Sequence, residues 1–367
     1  MIWLAVIAFI VAALVCGGVV RGARRHAAHY DAAKPQRFHF GDVPRLGGVG
    51  LLLGIGVSWG LGLALMHWGD PGSVRLGPWV LLWLLALAPA VLGGIAEDLT
   101  QRLAARHRLL LTGLTGALAV WLLDLSVPRL DLAWPDALLS AAPWLGVALA
   151  LLAVAGLPHA FNLIDGYNGL AAMVAIIICL ALAHVALQVG DRPLAALLVC
   201  TAAATSGFLV WNYPRGLLFA GDGGAYLWGG VIALASISLV QRNPSVSPWF
   251  PMLLLIYPVW ETVFSIYRKL ARGVSPGVAD ALHFHQLIFR RIVRGVFDDD
   301  DEARDMLMRN NRTSPYLWAF TLLTVVPAVL FRHNTPVLVG LCLLFICFYV
   351  AAYLAIVRFK VPGWLQP

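Results

Sequence analysis

One recurrence constrains this chain more than any other feature. Stretches of about 20 apolar residues, parted by short polar breaks, fill it from end to end. Eleven such stretches fit, at about residues 1–20, 46–66, 78–96, 108–125, 143–160, 169–188, 194–212, 223–241, 249–267, 315–331 and 336–357. A segment of that length and character satisfies its backbone inside a bilayer only as a helix. With 60% hydrophobic and 12% charged residues over 367 positions, the chain lacks the polar groups to cover a water-soluble body. The expected fold is all-α: one polytopic membrane helix bundle over residues 1–367, with a long polar loop at about 268–314.

Lysine and arginine orient the bundle. Nearly all of the 26 follow spans one, three, seven, nine and eleven, while Arg75, Arg129, Arg192, Arg242 and Arg332 fall on the other side. Cytoplasmic loops carry the cation excess. The N-terminus is therefore expected outside and the C-terminus in the cytoplasm. The first span has Arg21, Arg24 and Arg25 behind it and no basic residue ahead, which reads as an uncleaved span. Cys16, Cys179, Cys200, Cys342 and Cys347 sit in apolar runs without ligand spacing and read as small helix residues. The net charge of +7 suits an anionic inner leaflet or an anionic substrate. No basic domain is present to bind nucleic acid.

The acids sort with the cations. Glu97 and Asp98 end span three, Asp165 lies between spans five and six, and Asp222 opens span eight. Glu261 lies in the last two turns of span nine, and Asp280, His283 and His285 share the long loop. All fall at the face assigned to the cytoplasm; Asp124, Asp131 and Asp136, on the other side, read as loop chemistry. The hinge 161–169 gathers Asn162, Asp165 and Asn168 beside Gly166 and Gly169, which alone reads as a polar turn. Asp222, flanked by glycines ahead of a helix, suits either an N-cap or a Mg²⁺ ligand at a phosphate site lined by backbone amides. Glu97 and Asp98 point different ways on a helix, so one faces a site and the other supports it, or both answer Arg102 and Arg106. The basic entrance Pro44-Arg45-Leu46-Gly47-Gly48 suits a lipid phosphate or plain anchoring. His283 and His285 diverge on a helix and would share a ligand only on extended backbone. Ile288, Ile292 and Val296, backed by Arg290, Arg291 and Arg294, form a stripe that lies on the inner leaflet or packs on the bundle.

Taken in order, these motifs resemble those of the polyprenyl-phosphate N-acetylhexosamine-1-phosphate transferases, the family that includes the peptidoglycan translocase. Pro44-Arg45-Leu46-Gly47-Gly48 resembles that family's Pro-Arg-x-Gly-Gly, and Glu97-Asp98 stands where it has an acidic pair. Residues 162–170 resemble its Asn-x-x-Asp-Gly-x-Asp/Asn-Gly-Leu. Asn212-Tyr213-Pro214 and the Phe219 to Gly224 run resemble the next motif; Arg272-Gly273, Ser275-Pro276, Asp280 and His283-Phe284-His285 resemble the last. Glu97 replaces a usual Asp, Asn168 an Asp common in bacterial members, and Ala225 a frequent Ser.

The resemblance implies transfer of a sugar 1-phosphate from a UDP-N-acetylhexosamine to undecaprenyl phosphate, with release of UMP, at the inner membrane of a bacterium. It implies Mg²⁺, or Mn²⁺ in its place, held chiefly by Asp222 with Asp98, and Asp98, Asp165 and Asp222 as the catalytic carboxylates. Arg45, Glu97, Asn162, Asn168, Asn212, Asp280, His283 and His285 are the implied substrate contacts. Membrane lipid and a second copy of the chain, as a homodimer, are the implied further partners. Two other classes compete: a transporter, since membrane carboxylates mark ion paths, and an inactive scaffold of the same fold. Acids gathered at one face, with no matching pair of broken helices, weigh against the transporter.

Overall fold

The computed structural model describes residues 1–23, 27, 42–65, 74, 76–275, 277, 282–293 and 302–358. Every regular element among the described residues is helical. In chain order these are α1 (Ile2–Gly22), α2 (Gly47–Ala64), α3 (Trp79–Thr100), α4 (Ala105–Leu123), the short α5 (Ala133–Ala141), α6 (Trp144–Ile164) and α7 (Leu170–Gln188). There follow α8 (Arg192–Asn212), α9 (Gly221–Arg242), α10 (Trp249–Leu254), α11 (Ile256–Ala271), α12 (Phe284–Leu287), α13 (Glu302–Leu330) and α14 (Thr335–Val357). A π-helical turn, Ile288–Ile292, continues α12.

Nine of the described helices are long and apolar enough to cross a membrane: α1, α2, α3, α6, α7, α8, α9, α13 and α14. The chain is a multi-pass membrane protein. The other two expected spans take different forms. α4 opens on Arg106, His107 and Arg108, so its first turn is polar. The stretch 249–267 is divided at Leu255 into α10 and α11. Pro258 accounts for the division, because it has no N–H to offer the Leu254 carbonyl and its ring crowds that oxygen.

α9 is the hub. Its apolar window is wholly buried, and it packs against α2, α3, α6, α7 and α8. A helix apolar all round belongs in such a position. At its N-terminal end backbone meets backbone. A Cβ on Gly48 of α2 would fall 2.4 Å from the Gly224 nitrogen, and one on Gly94 of α3 would fall 2.6 Å from the Gly223 nitrogen. Small residues allow that approach between membrane helices.

Polar bonds collect at the two ends of the bundle. At the end away from the acids, Arg129 donates to the carbonyls of Asn243 (3.3 Å) and Val246 (2.8 Å). There Thr335 donates to Asp131 (3.1 Å) and shares a 2.6 Å bond with Ser247. The long loop is shorter than its polarity suggested, since α13 begins at Glu302. Ile288, Phe289 and Val293 are buried against the bundle, and Arg291 caps the last carbonyls of α14, Ile356 (2.9 Å) and Val357 (3.2 Å). Of the two readings of that stripe, its described part follows the bundle-packed one.

Candidate active site

The first amides of α9 need partners from outside their own helix. Asp222 does not cap the helix; the N-cap is Ala220, without a side-chain bond. Asp98 supplies the cap from α3. Its Oδ1 accepts from the Asp222 N–H and its Oδ2 from the Gly223 N–H, each at 2.9 Å. Those amides, which the sequence offered to a phosphate, are thereby occupied by a carboxylate. The entrance to α2 joins the same junction. The N–H groups of Gly47 and Gly48 donate to the carbonyls of Phe219 and Ala220, and Phe219 N–H donates to Pro44, each at 2.9 Å. Gly221 closes the knot at φ +71°, where a Cβ would fall 2.1 Å from the Arg45 carbonyl oxygen and 2.5 Å from both Asp98 oxygens. Only glycine fits there.

The Asp222 carboxylate faces three donors. Arg108 pairs with Oδ2 at 2.6 Å, the Tyr226 hydroxyl reaches Oδ2 at 3.2 Å, and Asn162 Nδ2 donates to Oδ1 at 2.6 Å. His159 lies edge-on to Tyr226 at 5.2 Å and bonds the Thr112 hydroxyl at 3.0 Å. Asp165, half-buried, follows α6 directly. Burial pushes its carboxyl up to about 7; the Asp222 charge adds to that, while Arg45 and the Gly221 amide oppose it. Asp98, Asp165, Asp222, Asn162 and Arg45 thus meet at one end of the bundle. Glu97 is engaged at the turn into α4, where its Oε2 accepts from Leu103 N–H at 2.7 Å.

Sequence reasoning missed Arg108, Tyr226 and His159. In the sequence Arg108 is one of the cations at the cytoplasmic ends of the spans and carries no further signal. Tyr226 carried a signal, standing one turn after Asp222 on the same face of α9.

Asn168 and Asn212 are placed in bonds that hold loops together. Asn168 is 1% exposed; its N–H donates to Asn310 Oδ1 at 2.8 Å and its Nδ2 to Asn311 Oδ1 at 2.9 Å. Asn212 accepts from Gly169 N–H at 2.5 Å and donates to the Leu218 carbonyl at 2.7 Å. Neither is bonded to the acids. Asp280 lies outside the described residues. His285 reaches the hinge, and His283 lies behind it. His283 takes extended backbone at φ −69°, ψ 152°, so the two rings do not diverge but lie parallel, centroids 5.3 Å apart. His285 meets Tyr167 edge-on at 5.6 Å. Burial depresses the His285 imidazole to about 3 against the pull of Glu261, with His283 and Arg268 pushing it further down. His285 is therefore neutral near pH 7.

Among the described residues no group of three or more His, Cys, Asp or Glu side chains is disposed to hold a metal alone. Mg²⁺ commonly takes one or two carboxylates and completes its shell with water and substrate phosphates. The acids that meet here offer only oxygen donors, which fits that chemistry.

A profile described as glycosyl transferase family 4 matches residues 80–240. A phospho-N-acetylmuramoyl-pentapeptide-transferase of Synechococcus sp. (strain JA-3-3Ab) is 32% identical over 285 residues, 73% of this chain and 75% of that protein. The chain belongs to glycosyl transferase family 4. It is also similar to undecaprenyl-phosphate alpha-N-acetylglucosaminyl 1-phosphate transferases. The one from Salmonella typhi is 24% identical over 349 residues, 92% of this chain and 86% of that protein. The one from Escherichia coli (strain K12) is 26% identical over 234 residues, 60% of this chain and 58% of that protein. The stretch matched by the glycosyl transferase family 4 profile holds Asp98, Arg108, Asn162, Asp165, Asp222 and Tyr226; Arg45, Glu261, His283 and His285 lie beyond it.

Proposed function

We propose that this protein transfers N-acetylhexosamine 1-phosphate from a UDP-sugar to undecaprenyl phosphate, releasing UMP and leaving a lipid-linked diphosphate sugar. The observation that carries the reading is the junction of Asp98 with the first amides of α9, with Asp165, Asp222, Arg45 and Arg108 around it. Relatives named for undecaprenyl phosphate give it its chemistry. The cation distribution supports a site on the cytoplasmic face of a bacterial inner membrane, where a lipid acceptor and a water-borne nucleotide can both reach it.

Joining two phosphate-bearing substrates asks first for charge neutralisation. Arg45 and Arg108 supply fixed positive charge. Arg108 holds Asp222 in line until a phosphate oxygen competes for its guanidinium. Mg²⁺, or Mn²⁺ in its place, would be held by Asp222 and Asp98 with Asp165 alongside, and when bound would stabilise charge on the departing UMP. The acceptor is a phosphomonoester with a second pKa of about 6, so it arrives largely ionised. Asp98 then has little proton to remove. Its two bonds to backbone amides support a positioning role for it.

The purified protein, given undecaprenyl phosphate, Mg²⁺ and a panel of UDP-N-acetylhexosamines, tests this directly. Release of UMP from at least one donor, UDP-N-acetylglucosamine being the first to try, is expected only when the lipid phosphate is present. No release from any donor, or release that ignores the lipid, overturns the reading.

A further inference from the structure

Glu261 stands outside the acid cluster, on the second half of the divided span, and is 1% exposed. A carboxylate buried that far is costly unless hydrogen-bonded. Two donors come to it, and an imidazole nitrogen stands close. Phe284 N–H donates to Oε1 at 2.9 Å, the Tyr349 hydroxyl donates to Oε2 at 2.9 Å, and His283 Nδ1 stands 3.3 Å from Oε1. Seven residues along the same face of α11, Arg268 donates to the Leu282 carbonyl and to the Tyr353 hydroxyl. The segment 282–285 is therefore gripped twice by α11, and each grip includes a tyrosine of α14 one turn from the other.

That grip is passed on to the hinge. The Glu261 carboxylate faces the His283 ring at Nδ1 without a formed hydrogen bond, and the His285 ring lies parallel to His283 at an interplanar angle of 4°. His285 Nε2 lies 3.9 Å from where a Cβ on Gly166 would stand, and Gly166 adjoins Asp165. Contacts thus run from a carboxylate buried in α11, through two imidazoles, to the residue beside a cluster acid.

We infer that Glu261 is a positioning residue. It orients His283 through Nδ1–H, which leaves Nε2 as the nitrogen that donates to the substrate phosphates when the ring carries both protons, and it sets the histidine arm against the hinge. The inference rests on the transferase reading for its substrate. Its geometry is open to a test that needs no turnover, since a carboxylate at one ring nitrogen decides which nitrogen carries the proton.

Spectra of the ¹⁵N-histidine-labelled full-length protein, with His283 assigned by His283→Asn, are expected to show Nδ1–H in the wild type and to lose that signature in Glu261→Gln. The Gln variant is expected to lose about tenfold or more in kcat with KM for the UDP-sugar nearly unchanged, Glu261→Asp to recover part of it, and the melting temperature to stay near wild type. Tyr349→Phe, which removes one donor and leaves the histidine arm in place, is expected to stay within about threefold of wild type. An Nε2–H tautomer in the wild type, or Glu261→Gln at full kcat, or loss of activity that only follows loss of melting temperature, overturns the inference. Loss of the Nδ1–H signature in Glu261→Gln, where the wild type itself releases no UMP, supports the Glu261 assignment and overturns the transferase reading.

Discussion

At the scale of residues, Gly221 is the most exacting position in the site. A methyl group there would meet the Arg45 carbonyl and both oxygens of Asp98 at once. Gly221→Ala is expected to lower transferase activity by about a hundredfold or more and to lower the melting temperature, because it displaces the cap of α9 and strains a left-handed backbone. Gly56→Ala is the matched control: nothing lies within 4 Å of its Cβ position. There the loss of a helix-interior glycine is expected to leave activity intact and to stabilise by about 0.5–1 kcal/mol. Asp165 gives a signature in pH. Its carboxyl is raised to about 7 in the folded protein, against about 3.9 unfolded. A raised carboxyl contributes stability that is fully present below about pH 4 and lost as pH rises through about 7. Without divalent cation the melting temperature is expected to fall over that window, and Asp165→Asn to flatten the fall. An unchanged slope in the Asn variant places the titration elsewhere.

At the scale of elements, the apolar rule found the helices that lie in lipid and stumbled where helices leave it. α13 starts at Glu302 rather than near residue 315. Its polar first turns, with Glu302, Ala303, three Arg and two Met, favour helix by propensity, but apolar length says nothing about them. The division at Leu255 is foreshadowed by Pro258, and Glu261, in the last two turns of span nine, falls on its second half. The cap of α9 could not be read locally at all, because Asp98 reaches it from 124 residues away. What the order of motifs did convey was that Pro44 to Gly48, Asp98, the hinge and Asp222 share a face, and they meet. The loops around the hinge give a further test. Asn212→Ala leaves Gly169 N–H and the Leu218 carbonyl buried without a partner, which is expected to cost roughly 1–3 kcal/mol. A melting temperature equal to wild type contradicts that role for Asn212.

At the scale of the whole molecule, a hub helix fixes the junction while separate polar networks close the two ends of the bundle. The site belongs to the end that carries the cations, which makes its sidedness testable. Arg215 and Ser245 are both exposed, at opposite ends. In intact cells a membrane-impermeant maleimide is expected to label a cysteine placed at Ser245 and to spare one placed at Arg215; the reverse pattern inverts the bundle.

The central claim is that three carboxylates, far apart in the chain, act as one unit on one diphosphate. It is tested most directly by UMP release from the purified protein carrying Asp98→Asn, Asp165→Asn and Asp222→Asn, singly and in pairs. The account predicts that each single change removes most of the activity and that pairs fall little further, as groups acting together do. Losses that multiply in the pairs, or any single variant close to wild type, would contradict it.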